Sequence, residues 1–257
     1  RLLRSGSLLE VKFVEIRPEN YVQRGGRFRS MLERARARWP VLTHGLSLGL
    51  GAVEPAEPEY VGKLKQFLAD VNAPWHSEHL CFSSADGVMV HDLLPLPFTH
   101  DAARVAAARI RELRDALERP IAVENISYYA HVGTPELDEA DFLLEVLEQA
   151  DAKLLLDVNN IYVNSENHGL DARRFLQRMP AERVVEFPIP GHSRRADGTI
   201  IDTHGAAVHD DVYALLELAL ERVGRVPVLL ERDQSFPSFA ELQAELARIA
   251  RRYRIRL

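Results

Sequence analysis

The sequence predicts a single closed α/β barrel of the (β/α)8 kind, a TIM barrel. Three observations predict it. The chain has 257 residues, close to the ~250 of one such barrel. Apolar strand-like runs alternate with helical patterns along its whole length, which argues for βαβ units and a parallel sheet. Acidic, amide and imidazole residues recur where the apolar runs end, the edge at which parallel barrels carry their sites.

Seven runs read as strands: Phe13–Asn20, Val41–Ser47, Trp75–Ser83, Ile121–Ser127, Lys153–Asn160, Arg183–Ile189 and Pro227–Asp233. Several are apolar almost throughout, as strands covered by helices are. The helical patterns that follow them are Phe28–Arg38, Glu59–Asn72, His100–Glu118, Asp138–Ala150, Asp171–Arg178, Asp210–Val223 and Ser238–Arg252. Seven strands are one short of a full barrel. Either Thr199–Thr203 is a weak eighth strand, or the first strand precedes Arg1 and Leu2–Leu9 belong to the first helix. The long polar loop after Ile189 favours the second account. No linker, low-complexity tract or short-period repeat divides the chain, so residues 1–257 read as one catalytic domain.

Hydrophobic residues make up 46% and charged residues 27%, the balance of a globular protein with a large core. The net charge of −6 argues against a nucleic-acid surface, which needs clustered basic residues. Arg34, Arg36 and Arg38, and Arg104, Arg109, Arg111 and Arg114, lie on helical patterns and read as solvated faces. No apolar stretch reaches the ~18 residues of a membrane span. The lone cysteine, Cys81, forbids an internal disulfide and sits in an apolar strand, where it reads as core. No signal peptide is visible, although the chain opens at Arg1 and not Met, so the expectation is a cytoplasmic protein.

The strand ends hold the chemistry. Glu19 and Asn20, His44, Glu78 and His79, Glu124 and Asn125, Asp157, Asn159 and Asn160, and Glu231 and Asp233 all fall there. Gathering so many ionisable groups at one mouth is costly unless they are paired or bind cations. Arg17 and Arg232 are the only bases at the strand ends, too few for an ion-pair network, and divalent metal is the better account. Asp202 and His204 stand two apart and in extended chain would point the same way, able to grip one ion. Histidine with carboxylate suits iron, manganese or zinc better than magnesium.

The runs Thr43–Gly49, Ser77–Leu80, Asp92–Pro97, Val123–Asn125, Leu156–Val163, Asn167–Gly169 and Ile201–Gly205 together resemble the multinuclear non-haem iron-dependent oxidative enzymes, the MbnB- and TglH-like family. The match runs in order over almost the whole chain. The resemblance implies a xylose-isomerase-like barrel, two or three iron ions as Fe(II) and Fe(III), and O2 as co-substrate. It implies natural-product biosynthesis: oxidation of a ribosomally synthesised precursor peptide, often at cysteine, with a small partner protein that presents the peptide. Carried over by motif, His44, His79 and Glu124 would hold one metal. Glu124 would bridge to a second, bound also by Asp157 and Glu231. Asp202 and His204 would hold a third, with Asn159 or Asn160 alongside. Glu124, Asp157 and His204 would be the groups closest to the reaction.

The sequence departs from the family at Glu186-Phe187-Pro188-Ile189-Pro190-Gly191-His192. Pro188 stands where the family has a histidine ligand, and proline offers no side-chain donor. The second site loses an imidazole; His192, turned elsewhere by Pro190, is a poor replacement. Arg232 replaces the aromatic residue common between the last two acids and should point away from Glu231. Two other functions fit the same residues: a metal-dependent isomerase or hydrolase of this barrel type, and a degenerate binding subunit without chemistry. His76, His91, His100, His131 and His209 read as surface or structural residues, His168 as either a mouth residue or a loop anchor, and Trp75 and Tyr162 as packing groups. Gly45, Gly49 and Gly51 read as room for a tight loop.

Overall fold

The structure, a computed structural model, describes residues 11–52, 54–85 and 88–255. The expected helix over Leu2–Leu9 and the side chain of His91 lie outside the described residues. Eleven strands are described in chain order: β1 (Val14–Ile16), β2 (Val41–Gly45), β3 (His76–His79), β4 (Cys81–Ala85), β5 (Val88–Pro95), β6 (Ile121–Glu124), β7 (Lys153–Leu155), β8 (Val184–Pro188), β9 (His192–Arg194), β10 (Ile200–Asp202) and β11 (Val228–Leu229). Seven of them form one parallel sheet in the order β1-β2-β3-β6-β7-β8-β11. The sheet curls into a nearly closed barrel. Its two edges approach at the C-terminal rim, where Arg17 beyond β1 meets Asp233 beyond β11 at 2.6 Å.

Side-chain alternation along each strand separates two cores. Val123, Leu154, Leu156 and Phe187 face outward into the helix-covered core. Their neighbours Glu124, Leu155, Asp157 and Glu186 therefore face the barrel axis. The helices α1 (Arg27–Arg36), α2 (Pro58–Val71), α3 (His100–Leu117), α4 (Glu139–Ala150), α5 (Val158–His168), α6 (Ala172–Arg178), α7 (Asp210–Val223) and α8 (Phe239–Ile255) complete the fold. In α3 the residues Ala103, Ala106, Ala107, Ile110, Leu113 and Leu117 are buried, the i, i+3, i+4, i+7 stripe of a helix laid on a sheet. Thr99 caps its start by accepting from the Ala102 amide. Each fully buried leucine on such stripes contributes about 1.5–3 kcal/mol.

Several expected elements differ. The Trp75–Ser83 run breaks at Leu80, and its second half turns into the antiparallel hairpin β4–β5. The Lys153–Asn160 run stops as a strand at Leu155, because Asp157 accepts from the Asn160 amide and starts α5. Thr199–Thr203 does supply a strand, β10, but it pairs antiparallel with β9 and stands outside the barrel ladder.

Glu139, in the first turn of α4, accepts a hydrogen bond from Asn164 Nδ2 at 3.0 Å. Burial raises its carboxyl to about 8, although the bonds from Asn164 and Tyr128 oppose the rise. The folded state thus keeps a proton that the unfolded chain releases above about pH 4.5, so stability falls as pH rises from there to about 8. Glu139→Gln keeps the shape without the charge. Urea unfolding at about pH 8 should find it more stable than the parent by on the order of 2 kcal/mol, with little difference near pH 4.

Candidate metal centre

The mouth is built from strand ends and the turns just beyond them. β2 delivers His44, β3 His79 and β6 Glu124. His44 Nε2 lies 3.0 Å and His79 Nε2 3.3 Å from the same oxygen, Glu124 Oε2. The two ring nitrogens are themselves 3.2 Å apart. The other nitrogen of His44 is fixed by Ser77 Oγ at 2.9 Å, and Ser77 in turn donates to the Thr43 carbonyl. One nitrogen anchored and the other aimed inward is how proteins orient a ligating imidazole. These three residues could hold a metal ion.

A second group forms across the mouth from Asp157, His204 and Glu231. His204 is its hub: Nε2 meets Asp202 Oδ2 at 2.8 Å, and Nδ1 lies 3.5 Å from Glu231 and 3.4 Å from Asp233. Its backbone has φ 50°, a left-handed conformation uncommon for residues that carry a side chain. That turn, and not an extended chain, is what brings Asp202 and His204 together.

The electrostatics match a site made for cations. Burial pulls the His44 imidazole down, but the Glu124 carboxylate beside it wins and lifts it to about 10. Burial and the neighbouring His44 push His79 well below the usual histidine range. Burial raises the Asp157 carboxyl well above its ordinary value, with Glu124 and Asp202 adding to the rise. Burial opposes protonation of His204, yet Asp202, Asp233 and Glu231 hold it raised. Asp233, in contact with His204 and Arg17, drops to about 2. Asp157 Oδ2 and His79 Nδ1 are buried without a hydrogen-bond partner. Such atoms are rare in folded proteins and call for an ion or water.

Six of the nine residues expected to bind metal thus fall into the two groups. Asp202 borders the second through His204. The amide of Asn159 is engaged on both sides, by Asp202 Oδ1 and by His192 Nδ1. Asn160 holds the floor of the mouth together, donating from Nδ2 to the Asn125 carbonyl.

Arg232 points away from Glu231, to Glu245 at 2.7 Å. Pro188 sits at the tip of β8, where Phe187 donates to the Pro227 carbonyl and Ile189 to that of Leu229. The amide of residue 188 would face the chain just beyond β7, where the Leu156 N–H still bonds the Glu186 carbonyl, so proline forgoes one bond at the strand's end, the position where a strand best tolerates it. His192 does not reach either group.

Sequence reasoning missed two inward carboxylates, Glu15 on β1 and Glu186 on β8. Glu186 is fully buried with both oxygens unpartnered. Burial, with Glu15 nearby, raises it well above the usual range. Burial raises Glu15 to about 8, against the pull of His44. The available signal was an acid between apolar residues that face the other way, Val14-Glu15-Ile16 and Val185-Glu186-Phe187.

Among the other histidines, His76 is buried against Thr43 and Glu78. His100 pairs with Glu145 on the surface. His168 bonds the Tyr128 carbonyl and stacks on its ring, the loop-anchor role. His131 packs beside that pair. His209 stacks on His192. Gly45 makes room for Glu78, whose Oε1 would lie 2.1 Å from an added Cβ. Cys81 is buried, and burial raises its thiol further.

Residues 3–254 match the family described as RiPP precursor modification enzyme MbnB/TglH/ChrH. A UPF0276 protein from Neisseria gonorrhoeae is 45% identical over 240 residues, covering 93% of this chain and 85% of its own. One from Alcanivorax borkumensis is 43% identical, covering 92% and 80%. Among solved structures, D-psicose 3-epimerase from Clostridium cellulolyticum superposes with TM-score 0.61 at 10% identity, over 94% of this chain and 88% of that one. A xylose isomerase domain protein from Planctomyces limnophilus gives 0.58 at 15%, over 94% and 86%. At such identities these structures establish the fold alone, a xylose-isomerase-like TIM barrel.

Proposed function

The chain belongs to the MbnB/TglH/ChrH family of RiPP precursor modification enzymes, and from that premise we propose that it oxidises a ribosomally synthesised precursor peptide with iron and dioxygen. The observation that carries the reading is the convergence of His44, His79 and Glu124, with Asp157, His204 and Glu231 facing them. The first three would hold one iron and the second three another. Asp202, hydrogen-bonded to His204, borders the second. With Pro188 in place of an imidazole, His204 is the only nitrogen donor of that second group. The orphaned oxygen Asp157 Oδ2 fits such an ion. Bound iron supplies dioxygen activation and a Lewis acid for a substrate group such as a thiolate.

The protein's own residues prepare that chemistry. Buried carboxylates bring enough negative charge to share among several cations, which sets their potential. Ser77 fixes the ring of His44. Asn125 exchanges hydrogen bonds with the Asp157 backbone at 2.9 and 3.0 Å and holds that strand end against β6. Among the described residues no helix is long and apolar enough to cross a membrane. A small partner protein that delivers the peptide, and a cytoplasmic setting, complete the proposal.

The test is metal analysis of protein loaded anaerobically with Fe(II), followed by mass spectrometry of a cysteine-bearing precursor peptide after exposure to air. Retained iron and an O2-dependent mass change support the reading. His44→Ala and His79→Ala should each lose iron. Normal iron content in both would sink it. Iron-free, well-folded protein that still binds peptide would instead favour a binding subunit, the reading that Pro188 supports.

A further inference from the structure

The pairing of β9 with β10 sets Asp202 directly opposite His192. Asn159, in the first turn of α5, bridges them. Its Nδ2 donates to Asp202 Oδ1 at 2.8 Å, and its Oδ1 lies 2.7 Å from His192 Nδ1. The other oxygen of Asp202 faces His204 Nε2 at 2.8 Å. A continuous file of polar contacts thus leads from His192 through Asn159 and Asp202 to the hub of the second donor group.

The chemistry of the file fixes its direction. A carboxylate accepts only, so the Asn159 amide must present its NH2 to Asp202 and its oxygen to His192. His192 must then donate from Nδ1. An imidazole with its proton on Nδ1 does this. The ring is 2% exposed. It is stacked between Tyr162 at 5.2 Å and His209 at 3.9 Å. Tyr162 is itself tied to Asp211. His192 therefore has one orientation.

We propose that His192 is a positioning residue for the second metal group: its Nδ1–H locks the Asn159 amide, which in turn holds Asp202 with one oxygen committed to His204. This inference rests on the metal-binding reading above. It gives a purpose to the one histidine near Pro188 without making it a ligand. Outer partners of this kind set metal affinity by about ten- to a hundred-fold.

Titration of metal-free protein with Mn(II) tests it. The parent should show two binding steps, of which His79→Ala removes one and so identifies the His44–His79–Glu124 group. In His192→Leu, which fills the ring space without a donor, the other step should weaken by about ten- to a hundred-fold while the first is unmoved. His192→Asn, whose amide N–H can stand in for Nδ1–H, should restore most of that loss. A merely structural ring would not distinguish leucine from asparagine in this way. If His192→Leu does not fold, Asn159→Ala leaves the ring stack in place and must weaken the same step. Two parent steps with the second unchanged in the His192 and Asn159 variants, or asparagine no better than leucine, overturns the inference alone. A parent that binds no Mn(II) removes the metal reading and this inference with it.

Discussion

Glu124→Ala is expected to lower cation affinity at the His44–His79 pair by about a hundred-fold or more, beyond what loss of an outer partner does. Both imidazoles aim Nε2 at one oxygen of this carboxylate, at 3.0 and 3.3 Å. Removing it leaves two neutral donors 3.2 Å apart and no negative charge between them. The loss is larger than for a surface ligand because Glu124 is 3% exposed and water cannot easily replace it. Glu124→Gln keeps the volume and still offers an oxygen, but without the charge, so it should fall between parent and alanine. Iron content per chain after gel filtration measures all three. Parent-like iron in Glu124→Ala would show that the mouth does not bind metal through this residue.

Gly191→Ala is expected to destabilise the fold by ~3 kcal/mol, at the upper end of what overpacking usually costs. An added Cβ would lie 2.1 Å from the Ala206 carbonyl oxygen and 2.6 Å from its carbon. Both are backbone atoms and cannot rotate aside. The loop between β8 and β9 would have to part from the loop before α7. The melting temperature should fall by about 6–12 °C for a domain of this size. Gly62→Ala is the control. It lies in α2 with nothing within 4 Å of the added Cβ, so it should gain roughly 0.5–1 kcal/mol from helix propensity alone. Equal melting temperatures for the two variants would contradict the close approach at Gly191.

Much of this architecture was legible in the sequence, for a physical reason. Helices such as α3 and α7 carry long apolar stripes, and their ends fall within a residue or so of the expected ones. Residues at strand ends converge in any parallel barrel, so His44, His79, Glu124, Asp157 and Glu231 could be grouped without coordinates. What escaped depended on competition between local signals. Val158, Ile161 and Val163 favour a strand by propensity, but the Asp157 cap and the packing of α5 on the barrel override them. The start of β4 looked like a continuation of β3, since nothing local marks Leu80 as a break. The contacts among His192, Asn159 and Asp202 join segments more than thirty residues apart along the chain, and no single-sequence pattern reports such a meeting. Glu15 and Glu186 were missed because acids within strands usually face solvent, and only the closing of the barrel turns them inward.

The walling-off of Cys81 has a practical corollary. Cys81 opens β4 with only 3% of the residue exposed, and it is the sole cysteine of the chain. Under the proposed oxidation of a peptide thiol, burial keeps the chain's own thiol out of the oxidant's reach. For the experimenter, an alkylating reagent added to the folded protein together with a cysteine-bearing test peptide should label the peptide, because Cys81 is buried.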